Sequence, residues 1–186
     1  MDTIIFYTSL GFWHVIDLNG LDHLYFIMAL SLPFSFSKWK KLLWWVTLFT
    51  FGHTLSLIGN YYLSFAFSSY WIELLIPITI ALSTLPLLKS QDPKSGLFMS
   101  GLTFFFGLVH GLGFGRYFGM MVSPDAAGTS LLSFALGVEF AQLFIVGAVL
   151  SFHFLIRKNE SIVLLWRKIL GWIIFLLALY MIVERI

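Results

Sequence analysis

The chain has 186 residues, of which 59% are hydrophobic, 19% aromatic and only 11% charged, and its mean hydropathy is +0.92. A soluble domain averages about 45–50% apolar and about 25% charged, so the composition excludes an ordinary soluble domain and predicts an all-α integral membrane protein, a single transmembrane helical domain over 1–186. A formal net charge of +2 offers nucleic acid no electrostatic foothold. The absence of cysteine removes disulfides and thiolate metal sites together, so any metal must be held by imidazole and oxygen.

A membrane-crossing helix needs about 20 mostly apolar residues, and six segments qualify. The first lies within 4–36 and is expected to bend near Leu18-Asn19-Gly20. It is too long for one straight span, so an interfacial or re-entrant piece over 3–16 followed by a span over 20–36 is the alternative, which makes seven elements. The others cover 42–60, 71–88, 96–118, 130–156 and 163–183. Met1-Asp2 lacks the basic region of a cleavable signal peptide, so the first segment is expected to stay in the mature protein.

Basic residues in short loops set orientation. Lys38, Lys40 and Lys41 follow the first span, Lys89 and Lys94 the third, and Arg157 and Lys158 the fifth, with Arg167 and Lys168 opening the sixth. Only Arg116 and Arg185 remain for the other side. The asymmetry predicts cytoplasmic odd loops and extracytoplasmic N- and C-termini. That topology puts His14 to His23, His53, His110 and Glu139 at similar depth in the outer half of the bilayer, with Glu73 at the outer mouth of the third span.

Ionisable groups at membrane depth are costly and mark function by default. On the first segment, His14 and Asp22 stand eight residues apart, a broad common helical face, about 80° apart. Asp17, one turn from His14, orients an imidazole, relays a proton, or lies at the outer surface. His53 sits among hydroxyls, sharing a face with Thr50 and Thr54. His110 lies between Gly107 and Gly111, a spacing that lets another helix approach; Gly113 and Gly115 are expected to unwind that helix and free carbonyls. Glu139 and Gln142 share a face on the fifth span, where Gly137 adds a further close-packing position, and a glutamate there must be protonated, paired or liganding. Arg116 pairs at the outer mouth or snorkels. His153 reads as interfacial, outside the site.

These residues carry a resemblance. Gly11-x-x-His14 with Gly20-Leu21-Asp22-His23-Leu24-x-Phe26, Phe49-Thr50-x-x-His53-Thr54-Leu55-Ser56-Leu57, Glu73-x-x-Ile76-x-Ile78-Thr79-Ile80, Phe106-Gly107-Leu108-Val109-His110-Gly111-Leu112-Gly113-Phe114 and Leu136-Gly137-Val138-Glu139-x-x-Gln142-Leu143 make the chain similar to the HupE/UreJ family of small membrane proteins. The resemblance implies a nickel or related divalent-metal permease, or an accessory protein, in a bacterial cytoplasmic (inner) membrane.

The resulting expectation is a carrier with His14, Asp22, His23, His53, His110 and Glu139 as metal-site residues. Asp17, Glu73, Thr50, Gln142 and Arg116 orient them or gate the mouth, and Gly107, Gly111, Gly113 and Gly137 pack helices. Nickel is the first expectation; zinc, cobalt, copper and iron suit the same ligands. Partners are the lipid bilayer and the metal ion, with a homo-oligomer or another membrane subunit possible. The alternative is an intramembrane zinc-type hydrolase with Glu139 as general base, or a metal-binding assembly subunit. Few polar residues are visible in the inner halves, which tells against a carrier.

Overall fold

The computed structural model describes residues 3–18, 20–63, 67–89, 97–122 and 124–186. Met1, Asp2, Asn19 of the expected bend and Lys94 of the third loop lie outside them. Among the described residues there are seven α-helices and no strand: α1 Thr3–Val15, α2 Asp22–Ser31, α3 Trp39–Leu63, α4 Ser69–Leu88, α5 Leu97–Met121, α6 Ala127–Ile156 and α7 Glu160–Glu184. Phe36–Leu63, Ser69–Leu88, Ala127–Ile156 and Glu160–Glu184 are each long and apolar enough to cross a membrane. Large apolar side chains such as Trp44, Phe51, Phe144, Leu155 and Trp172 stand exposed along them. The protein is an integral membrane protein embedded in a lipid bilayer.

The first apolar stretch is divided, and the contacts give the direction of each piece. Tyr7 donates its hydroxyl to the Met121 carbonyl at the end of α5 (2.9 Å), and His14 stacks against Phe114 at 4.0 Å. Further along, His23 meets His110 and Phe26 meets Phe106. Both α1 and α2 therefore run antiparallel to α5, one after the other, as a single broken path along it. The break follows from local chemistry. Asp17 and Gly20 close a turn, the Gly20 N–H donating to the Asp17 carbonyl. Asp22 then starts α2, where a carboxylate is favoured by the helix dipole. Neither helix, at about 20 Å and about 15 Å, spans a bilayer alone.

Three helix pairs build the bundle around this broken path: α1 with α6, α3 with α5, and α4 with α7. The first two pairs touch backbone to backbone. A methyl group on Gly11 would collide with the Phe134 carbonyl, and one on Gly137 with the Thr8 carbonyl. Likewise Gly52 faces the Phe104 carbonyl, while Gly107 and Gly111 face the carbonyls of Phe49 and His53. In lipid no hydrophobic force drives helices together, so such close van der Waals contact holds the bundle. The third pair is clasped differently. Pro77 inside α4 has no N–H for the Glu73 carbonyl, and the Arg185 guanidinium of α7 donates to that carbonyl instead.

Candidate metal centre

The break between α1 and α2 and the glycine contacts at Gly52 and Gly107 bring four histidines together. His14 closes α1, His23 opens α2, His53 follows the Gly52 contact on α3, and His110 follows Gly107 on α5. Ring centroids lie 4.6 Å apart for His14–His23, 5.6 Å for His14–His53, 5.4 Å for His23–His53 and 5.1 Å for His23–His110. His14, His23 and His53 each offer a nitrogen within 4.8 Å of the others. A metal about 2.0–2.1 Å from each nitrogen is reached by ring rotations that move those atoms by under about 1 Å.

Hydrogen bonding leaves these nitrogens ready. The Asp22 carboxylate accepts from His23 twice, from its backbone N–H (2.9 Å) and from Nδ1 (3.1 Å), so Nε2 of His23 faces the cluster as an acceptor. His110 donates Nδ1–H to the Phe106 carbonyl at 2.8 Å. Nε2 of His14, His23 and His110 and both nitrogens of His53 are buried without a hydrogen-bond partner. His53 is 0% exposed, and orphaned buried polar atoms are rare enough to need an explanation. A cation shared by the imidazoles supplies one. Phe26, Phe49, Phe114 and Phe134 wall the cluster, with Phe114 and Phe134 stacked at 5.2 Å. This dry lining strengthens any ligand–metal interaction inside it.

Other expected site residues fall elsewhere. Glu139 stands one to two turns along α3 from His53, away from the imidazoles: Thr47 donates to its Oε1 (2.7 Å) and Thr50 to its Oε2 (2.5 Å). Depth explains the difference, because α6 begins at Ala127 and runs 30 residues, which carries Glu139 below the histidines. Gln142, fully buried, is 3.0 Å from the Thr50 hydroxyl through Oε1. Thr47 went unnoticed in the sequence, although its spacing from Thr50 puts both on one face. Glu73 and Arg116 line a cleft of about 480 Å³ with Asn60 and Gly113, at the end of the bundle where α5 terminates. Asp17 is exposed in the turn between α1 and α2.

One glycine expectation needs correction. The helix carrying Gly113 and Gly115 is continuous across both, and the unwound segment lies instead between α1 and α2. Gly113 lies against the side chains of α4, where a methyl would stand 3.0 Å from Ile76 and 3.6 Å from Ile72. Gly11 and Gly52, not singled out for packing, are close-contact positions, whereas Gly107, Gly111 and Gly137 pack as expected. His153 is buried against Trp166, near the basic end and apart from the imidazoles.

The family model described as HupE / UreJ protein matches residues 1–185. Neither a curated protein nor a solved structure matches the chain.

Proposed function

The chain belongs to the HupE/UreJ family, and from that premise we propose that it carries a divalent transition metal, nickel before cobalt, zinc, copper or iron, through an imidazole site within the bilayer. The family implies a nickel- or cobalt-type metal-handling role, accessory or transport, and the chemistry of the donors fits it. Neutral imidazoles suit nickel and its neighbours, and no thiolate competes. The observation that carries the reading is the convergence of orphaned nitrogens on His14, His23 and His53, with the orphaned Nε2 of His110 on the ring beside His23. Asp22 acts on the metal through His23, fixing its tautomer.

Glu139 has a separate part in this reading. Ionised, its two oxygens accept from Thr47 and Thr50. Protonated, it can donate to the Thr50 oxygen while the Thr50 hydroxyl turns to Gln142 or to the Val46 carbonyl. Both protonation states are satisfied, as a proton-coupled carboxylate requires. The hydrolase reading is served less well, because a general base needs a free oxygen beside the open position of the metal. We place the protein in a bacterial inner membrane, with the outer cleft at Glu73 and Arg116 as the entry.

The test is metal analysis of the purified protein together with uptake into vesicles. His23→Ala, His53→Ala and His110→Ala should each lose uptake, and the triple variant should lose bound nickel. Glu139→Gln should keep bound nickel and lose uptake driven by a pH gradient. Wild-type uptake by the triple variant would sink the reading.

A further inference from the structure

Two pairs of helices meet through the same contact. Gly11 abuts the Phe134 carbonyl and the Val138 N–H, and Gly107 abuts the Phe49 carbonyl and the His53 N–H. In return Gly137 abuts Thr8 and Phe12, and Gly52 abuts Phe104 and Leu108, with matching atoms in matching order. The residues repeat too: Gly11-x-x-His14 answers Gly107-x-x-His110, and Phe134-x-x-Gly137 answers Phe49-x-x-Gly52. Thus α1 corresponds to α5 and α6 to α3. Because α1 and α5 run in opposite directions, the operation relating them is a two-fold axis in the membrane plane. That axis passes between α3 and α6 and leaves α4 paired with α7, as the contacts have it.

The surface repeats as well. The cleft of about 480 Å³ at the α3–α4 corner has a counterpart of about 480 Å³ at the α6–α7 corner, on the opposite face, holding Ser35, His153, Arg157, Glu160 and Arg167. Their depths differ. The first reaches Leu112 and Gly113, within one turn of His110. The second stops at Pro33, about 15 Å along α2 from His23, and Phe26, Ile27 and Leu30 lie buried between.

We infer that the six crossings are two inverted halves, α1–α4 and α5–α7, and that the ion leaves the histidines through the α6–α7 cleft when the halves exchange conformations. This rests on the carrier reading above. Inverted repeats with a broken helix at their interface commonly alternate access in this way. The present state is asymmetric where such a mechanism needs it: the α1 half is broken after Val15 and the α5 half is continuous. The matching point on α5 falls after Gly111, where Gly111-Leu112-Gly113-Phe114-Gly115 follows. Gly111 and Gly115 abut α3, Gly111 at its backbone and Gly115 at the Cβ of Asn60, whereas Gly113 meets only the outer carbons of the Ile76 and Ile72 side chains of α4. A mid-helix glycine weakens the helix there, and side-chain ends can yield where a backbone cannot, so Gly113 is the hinge at which α5 opens as α1–α2 does now.

The chain has no cysteine, so single-cysteine variants of the full protein in vesicles report access directly. Val149 is buried on α6 between Gln142 and His153. Val149→Cys should react with a charged, membrane-impermeant maleimide applied from the His153 face. Adding Gly113→Ala should slow that reaction about fivefold, the equivalent of about 1 kcal/mol of helix preference. Met120→Cys, in the open cleft, should react from the other face at a rate Gly113→Ala leaves unchanged. If Val149→Cys does not fold, Val146→Cys replaces it. An unreactive cysteine in a protein whose Met120→Cys reacts overturns the inference, as does indifference to Gly113→Ala. Nickel analysis of the same variants separates the two claims: labelling as expected without bound metal removes the cargo and leaves the two-state architecture, whereas bound metal with an unreactive Val149→Cys does the reverse.

Discussion

At the scale of single residues, the site is defined by which nitrogen each histidine keeps free. Asp22 illustrates this: it sits at the start of α2, accepts the His23 backbone N–H and holds Nδ1. Asp22→Asn leaves a side chain of the same size at the same helix start but removes the charge that polarises the ring. Nickel affinity measured by titration calorimetry should fall by about 10–100-fold, the usual loss when such a partner is removed, while His153→Ala should leave affinity unchanged. The ligand types were legible in the sequence because histidines and carboxylates stand out against hydrocarbon. Their division of labour was not, because the tautomer of a ring depends on a neighbour that only the folded backbone supplies. Glu139 makes the same point: its burial depth follows from where α6 begins.

At the scale of helices, small residues and proline decide the contacts. Gly52, Gly107, Gly11 and Gly137 face another backbone, whereas a methyl on Gly101, Gly128 or Gly147 meets nothing within 4 Å. Gly107→Ala should therefore lower stability by about 1–3 kcal/mol through overpacking, read as an earlier thermal unfolding in detergent. Gly147→Ala, in the middle of α6, should be neutral or raise stability by up to about 1 kcal/mol. The α4–α7 clasp gives a second test. Arg185→Ala should cost about 1 kcal/mol by stranding the Glu73 carbonyl. This cost should nearly vanish in a Pro77→Ala background, where the replacement residue supplies the N–H that proline lacks. Sequence spacing flagged Gly107 and Gly111 correctly, since small residues four apart are a local pattern. It offered no partner for Gly11 or Gly52, because those partners lie on helices distant in the chain.

At the scale of the molecule, the alternating directions of the helices put the start of α3, the end of α4, the α6–α7 turn and the end of α2 at one end, with Lys38, Lys89, Arg157, Lys158 and Arg167. The basic residues then favour that end as cytoplasmic. Small tags on the two chain ends should both react with an impermeant reagent from the side opposite the basic loops, and a split result would reject this orientation. The sequence reading named Thr50, Glu139, Gln142 and His153 without the order they take at this scale, one after another from the histidines toward the basic end.

Composition and hydropathy by themselves determined a helical membrane protein, and the rarity of charge in it marked which residues are candidates for the chemistry, because burying an ionisable group is costly in any fold. The sequence also carried the family motifs. Only the tertiary structure decided that the first apolar stretch is two helices broken between His14 and His23, that α1 pairs with α6 and α3 with α5, and that the two pairs meet through matching contacts. Those features rest on backbone contacts between helices distant in the chain. Local periodicity specifies a helix and its small residues, but not the helix it meets or the direction in which that helix runs.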